Sequence, residues 1–207
     1  MTTDPESSPA ARWTARYDTA EYLYGETAND FLRAQAHLIP PGPVLCVADG
    51  EGRNGVWLAE RGHPVTSVDF APTATEKARR LARRRHVRIE AITADMAEWE
   101  IPAGVWSAVV WIFAHLPPPA RAKALAGSVA GLAPGGLLLL EGYTPEQVGR
   151  GTGGPPDPAL TFTEEMLAEA TAGLDVLRLQ AFERDVHEGR LHTGRAAVVQ
   201  ALARRPR

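Results

Sequence analysis

Apolar and polar positions along this chain follow two rhythms. Short apolar runs recur at Pro43–Ala48, Pro64–Val68, Val87–Thr93, Val105–Ile112 and Leu137–Glu141. Between them lie longer stretches with helical spacing, Asn54–Arg61, Pro72–Arg85 and Pro118–Leu132. A helix from about Asn29 to Ile39 precedes the series, and Pro40-Pro41-Gly42 ends it. Strands that alternate with helices predict a parallel sheet covered on both faces. The rhythm changes after Glu141. Gly149–Pro158 is rich in glycine and proline and predicts a long loop. Thr163 is placed to cap a helix, with Glu164 and Glu165 at its positive end. Two long runs, Asp175–Val186 and Leu191–Ala203, flank Glu188-Gly189 and predict a hairpin.

Most of the chemical information lies between Val44 and Asp69. An apolar run leads into Gly50, Gly52 and Gly55, a helical segment follows, and a second apolar run ends in Asp69. Glycines in such a turn let the backbone approach a ligand, because no Cβ intervenes. A carboxylate at the end of the second strand can accept hydrogen bonds from ribose hydroxyls. The pattern predicts a site for a nucleoside-containing cofactor. A dinucleotide is one option, since the glycines fit G-x-G-x-x-G, but that pattern wants its acidic residue about 20 residues onward. Asp69 follows Gly55 by only 14 positions, and Asp49 and Glu51 would repel a pyrophosphate.

Asp49-Gly50-Glu51-Gly52-Arg53-Asn54 resembles the first motif of class I S-adenosylmethionine-dependent methyltransferases, in the form of the tellurite-resistance and thiopurine methyltransferase branch. The resemblance runs from about Trp13 to Ala203. Ala94-Asp95-Met96 looks like the family's adenine motif, Trp106–Leu116 like its fourth strand, and Leu132-Ala133-Pro134-Gly135-Gly136 like the turn into its fifth. It implies a Rossmann-like, doubly wound, mostly parallel seven-stranded sheet, with a C-terminal antiparallel hairpin and helices on both faces. Cys46 and Ala48 depart from the pattern, where relatives often carry an acidic residue and a glycine. Asp49 is then expected to meet the methionine ammonium instead.

The resemblance assigns S-adenosylmethionine to the glycine turn (Asp49, Gly50, Gly52, Arg53, Asn54), to Asp69 and Phe70, to Asp95 and Met96, and to Phe113 beyond the fourth strand. Tyr24 belongs to an N-terminal flap expected over the cofactor. His115 and Tyr143 are the candidate catalytic residues, and Tyr22, His187 and Arg190 the candidate substrate contacts. Each also has a plain structural reading: His115 as a packing or capping loop residue, the aromatics as core, and the hairpin residues as a solvated turn. The spacing in HEGRLH does not put two histidines on one helix face, so no metal site is expected.

Composition narrows this little further. The 207 residues suit one α/β domain, taken as 13–207 with a lid and helix over 13–42, and residues 1–12 are expected to be a disordered tail. Net charge of −3 argues against a general nucleic-acid binder. No run is apolar enough to span a membrane, no secretion signal is evident, and the lone Cys46 cannot form an internal disulfide. The expectation is a cytoplasmic enzyme, monomer or homodimer, that methylates a small molecule, with a thiol or other chalcogen nucleophile favoured. An NAD-dependent oxidoreductase and a non-catalytic S-adenosylmethionine-binding protein stay open.

Overall fold

The computed structural model describes residues 8–207. Most of the tail expected over 1–12 lies outside the described residues; its last positions are the first turn of helix α1 (Pro9–Tyr17). Ser8 caps α1 by accepting from the Ala11 N–H. Helix α2 (Asp30–Gln35) ends sooner than its periodicity suggests and passes into a 3-10 turn at Ala36–Leu38. Asn29 caps α2 through its side chain, which accepts from the Leu32 N–H.

The strand–helix series then runs β1 (Val44–Val47), α3 (Arg53–Ala59), β2 (Val65–Asp69), α4 (Pro72–Arg84), β3 (Glu90–Thr93), β4 (Trp106–Ile112), α5 (Pro118–Gly131) and β5 (Leu132–Tyr143). Helix α6 (Glu164–Ala170) and the hairpin β6 (Asp175–Glu188) and β7 (His192–Arg204) complete the chain. Proline opens α4 and α5, where its missing N–H costs nothing. Thr163 caps α6 as its sequence predicts, accepting from the Met166 N–H.

One seven-stranded sheet has the order β3-β2-β1-β4-β5-β7-β6. Strands β1 to β5 are parallel, and β7 runs antiparallel to both β5 and β6. This is the doubly wound methyltransferase-type sheet expected from the sequence. Alternation sorts the core onto two faces. Leu45, Val47, Val109, Trp111, Leu138 and Leu140 face α5 and α6. Val44, Cys46, Ala108, Val110, Leu137 and Leu139 face α2 and α3. Both faces of the central strands are therefore apolar, as a covered parallel sheet requires. Cys46 is buried and its thiol is pushed up by that burial, so it serves as packing. No helix among the described residues is long and apolar enough to cross a membrane.

Candidate functional site

The glycine turn leaves β1 through three residues in the left-handed region: Ala48 (φ 48°), Gly50 (φ 57°) and Gly52 (φ 85°). Gly52 caps α3. The two glycines face different neighbours. A Cβ on Gly52 would stand 2.5 Å from the Ala78 Cβ of α4, whereas one on Gly50 would stand 2.9 Å from the Tyr17 hydroxyl. Gly50 thus lies under Tyr17 of the N-terminal segment, and Gly52 packs against α4.

Asp69 closes β2 at 4% exposure. One carboxylate oxygen accepts from the Gly50 N–H at 2.9 Å and the other from the Ala71 N–H at 2.9 Å. Burial pushes its pKa up to about 6. Asp49 does not do what the sequence suggests. Its Oδ2 turns inward and accepts from the Ser67 hydroxyl at 2.9 Å and the Gly55 N–H at 3.2 Å, bracing β1, β2 and α3. Burial pushes it up to about 7. The reason is the neighbour set: Ser67 and Gly55 present donors on the inner side of the turn. Asp95, after β3, is exposed, and its Oδ1 accepts from the Ala97 N–H at 2.9 Å. Met96 is buried beneath it, and Phe70 packs with Tyr17 and Leu23.

A strap from Trp13 to Gly25 lies across this turn. Glu51 Oε2 accepts from the Leu23 N–H at 2.7 Å and the Tyr24 N–H at 3.4 Å. Lys77 of α4 forms a buried ion pair with Glu51 and donates to the Tyr17 carbonyl at 3.3 Å and to the Glu21 carbonyl. From the other side the hairpin turn fastens the strap, the Arg190 N–H donating to the Leu23 carbonyl at 3.0 Å. Tyr17 stacks on Trp13 and meets Tyr24 edge-on. The pairing of Glu51 with Lys77, twenty-six residues on, leaves no local signal in the sequence.

Arg53 and Asn54 also hold protein rather than facing a ligand. Arg53 pairs with Glu188 and donates to the Thr27 carbonyl at 3.3 Å, and Asn54 accepts from the Asn29 N–H at 3.0 Å. Asn29 Nδ2 donates to Glu141 at 2.6 Å and to Glu188 at 2.7 Å, while Arg184 grips Glu141 through two donors. This buried network ties β5, β6, α2 and α3 together.

Beyond β4 and β5 the character changes to aromatic. Phe113 has φ 52°, unusual for a residue with a side chain. Its ring stacks on Tyr143 at 4.4 Å and meets His192 at 4.9 Å. Tyr24 lies 4.5 Å from His192, ring centre to ring centre. Tyr143 is wholly buried, and its hydroxyl has no partner among the described residues; nor has Nδ1 of buried His192. His115 is less available than expected. Its Nδ1 donates to the Leu160 carbonyl at 2.9 Å, and its Nε2 accepts from the Tyr143 N–H at 3.4 Å. Burial pushes its pKa down to about 4.

Three expected substrate contacts lie elsewhere. Strand alternation turns Val186 and Glu188 inward, so His187 is exposed. Arg190 is 70% exposed and reaches only Glu21, at 3.4 Å. Tyr22 lies against α4, where its hydroxyl donates to the Lys77 carbonyl at 2.9 Å. The same alternation, followed one residue past the turn, brings His192 into the aromatic cluster. A surface groove of about 760 Å³ lined by Asp30, Trp57 and His63 opens toward the amino ends of the strands, away from this chemistry. No group of three or more potential metal ligands occurs among the described residues.

The residues fit S-adenosylmethionine: a glycine without Cβ under the strap, a buried carboxylate at the end of β2 and an open one after β3. Comparison with known proteins agrees. The methyltransferase domain family matches residues 44–136. Demethylmenaquinone methyltransferase of Thermus thermophilus is 33% identical over 111 residues, 53% of this chain and 50% of the relative. The chain thus spans about half the length of the curated relative it matches. Among solved structures, a protein studied for the conversion of a disulfide bond into a thioacetal group during echinomycin biosynthesis superposes with a TM-score of 0.73 at 18% identity, over 95% of this chain and 91% of that one. TehB from Haemophilus influenzae gives 0.68 at 19% identity, over 95% and 66%. The N-methyltransferase NodS from Bradyrhizobium japonicum gives 0.66 at 16%, over 98% and 99%. At these identities the structures speak for the fold alone. Residues 44–136 thus match the methyltransferase domain family, and the chain as a whole has the fold of these solved structures.

Proposed function

We propose that this chain transfers a methyl group from S-adenosylmethionine to a small molecule through a thiol or other chalcogen nucleophile. The observation that carries the cofactor half is the pair Asp69 and Gly50: a buried carboxylate at the end of β2, bonded to the turn that lacks a Cβ. Asp69 would hold the ribose hydroxyls, Asp95 and the backbone at Met96 the adenine, and the backbone at Gly50 the methionine part. When bound, the cofactor supplies a methyl carbon already activated by a sulfonium. Phe70 and Phe113 would flank it, and Tyr24 in the strap would help exclude water.

The protein's task is alignment, which contributes many kcal/mol in well-oriented reactions. His115 spends both ring nitrogens on backbone groups. That leaves it to position Tyr143 rather than to abstract a proton. A soft nucleophile suits such a site, because a thiol pKa of about 8.5 already gives some anion near neutrality. The curated relative supports a small acceptor, since its name specifies demethylmenaquinone. The tellurite-resistance branch, a cytoplasmic location, and a monomer or homodimer that binds no nucleic acid remain parts of this proposal. Calorimetric titration with S-adenosylmethionine, S-adenosylhomocysteine and NAD tests it. The first two should bind and NAD should not; binding of NAD alone would replace the reading with an oxidoreductase.

A further inference from the structure

We propose that the chain competes with its own cofactor: the Tyr17 side chain fills the space above Gly50 and Asp69, and helix α1 must swing away before S-adenosylmethionine enters. The inference rests on the methyltransferase reading above and adds to it a regulation of the cofactor site.

The surfaces assigned to the cofactor are covered by the chain itself. A Cβ on Gly50 would stand 2.9 Å from the Tyr17 hydroxyl and 3.5 Å from Tyr17 Cζ. The phenol thus rests on the turn, and no layer of ligand atoms fits between them, since non-bonded carbon atoms sit about 3.5–4.0 Å apart. Phe70, next to Asp69, packs with Tyr17 and Leu23. Asp69 itself is buried and spends both oxygens on backbone N–H groups. Burial first, and the Asp69 carboxylate next, push the Tyr17 phenol well above its ordinary range, so a neutral ring lies beside the group assigned to ribose. Of Asp69 and Asp95, only Asp95 is open to solvent.

The covering piece is weakly held. Helix α1 has nine residues, and Tyr17 is the one it buries. Isolated helices shorter than about 12–15 residues are marginal in water. Besides that ring and half-buried Trp13, two hydrogen bonds fix α1 to α4 among the described residues. The Thr73 hydroxyl donates to the Thr14 carbonyl at 2.8 Å, and Lys77 donates to the Tyr17 carbonyl at 3.3 Å. The chain leaves helical geometry at Asp18 (φ −75°, ψ 64°), immediately after α1.

The next residues are held more firmly. Glu51 accepts from the Leu23 and Tyr24 N–H groups, and Lys77 donates to the Glu21 carbonyl. The Arg190 N–H donates to the Leu23 carbonyl, and the Tyr22 hydroxyl to the Lys77 carbonyl. Residues 21–25 therefore stay fastened while α1 turns about Asp18. That one motion uncovers Gly50 and Asp69 together and exposes a single buried ring. Apparent affinity for the cofactor is then the intrinsic affinity scaled by the open fraction.

The full chain and two variants are titrated with S-adenosylhomocysteine by calorimetry. Tyr17→Ala empties the occupied space. Ala15→Pro, at an exposed position, breaks α1 without placing an atom in the cleft, because proline removes a helical hydrogen bond and clashes with the preceding turn. With the open form at about 0.1–10% of molecules, both variants should bind about tenfold or more tightly than the wild type. Amide exchange of α1 should accelerate when S-adenosylhomocysteine binds, because the ligand holds the helix off; a lid that closes on the cofactor would slow it. Should Tyr17→Ala fail to fold, Ala15→Pro carries the comparison. Unchanged or weaker affinity in either folded variant, or unchanged or slower exchange of α1 on binding, overturns the inference. A wild-type protein without detectable binding, beside a variant that binds, supports it. When neither the wild type nor a variant binds, the methyltransferase reading falls and the inference falls with it.

Discussion

The two halves of the cleft handle polar groups in opposite ways. Around the glycine turn, Glu51, Asp69 and Lys77 are buried, Asp49 is half-buried, and each has protein partners. On the acceptor side, aromatic rings dominate, and Tyr143 and His192 each leave a polar atom unsatisfied. The first half is braced before any ligand arrives; the second keeps hydrogen-bonding capacity in reserve. Stability is concentrated at the glycine turn and is given up among the aromatic rings beyond β4 and β5.

The sharpest way to break this contrast is to unfasten the braced half. Lys77→Met removes the cation from a buried pair and leaves Glu51 charged, with only two backbone N–H partners. Removing one partner of such a pair costs about 3–5 kcal/mol. Chemical denaturation should show a loss of that size, and amide exchange should rise across residues 17–25 while the amide of Tyr143 stays protected. A uniform rise in both regions would mean that the strap is not a separate brace. Glu51→Gln combined with Lys77→Met should recover part of the loss, since it removes the stranded charge.

Gly52→Val comes next. The added Cβ meets the Cα of Ala78 at 2.8 Å, in a residue held at φ 85°. Overpacking costs about 1–3 kcal/mol and backbone strain adds a similar amount. The expected result is a lower denaturation midpoint even without cofactor. A folded protein of unchanged midpoint that merely loses cofactor would restore Gly52 to the ligand side.

These two cases show what the sequence can carry. The fold was legible because its information is local: each apolar run is a strand, each helical spacing a helix, and the glycine turn and Asp69 fall within one contiguous unit. Roles that depend on facing were not. Asp49, Gly52, Arg53 and Asn54 all sit in the expected motif, yet their side chains or open faces turn toward Ser67, Ala78, Glu188 and Asn29, partners distant in sequence. The acceptor side was least legible, because it joins the ends of β4, β5 and β7. Here one step of strand register decides that Glu188 is inside and His187 outside. His187 and His192 both flank the hairpin turn in the sequence, and only the strand facing separates the exposed one from the buried one.

Asp69→Ala probes the braced half at its carboxylate, which also holds the Gly50 and Ala71 N–H groups. On the proposed reading it removes the acceptor of two ribose hydroxyls, and affinity for S-adenosylmethionine should fall by about 1.5–3 kcal/mol, the range for hydrogen bonds to a charged group. Because burial pushes Asp69 up to about 6, wild-type affinity should also decline as pH falls through 6, and the variant should not share that decline. Equal affinity of the two proteins at pH 7.5, measured by calorimetry, would remove Asp69 from the cofactor.

At Asp49 the expected effect is confined to a pH window. Burial raises its folded-state pKa to about 7, above the unfolded value of about 3.9. The folded protein thus binds a proton more tightly than the unfolded chain does. Stability from this group is full below pH 4, falls as pH rises, and is lost above 7, where the folded state must hold a carboxylate beside apolar strand residues. Asparagine keeps the acceptor oxygen that Ser67 and Gly55 use and cannot ionise. Asp49→Asn should therefore match the wild type at pH 4 and be the more stable of the two at pH 8, with the difference opening between those values. Urea titrations at three pH values measure it. A variant that is less stable at pH 8 would show that the charge itself is wanted at this turn, and would return Asp49 to the role its sequence position suggested, facing the ammonium of the cofactor.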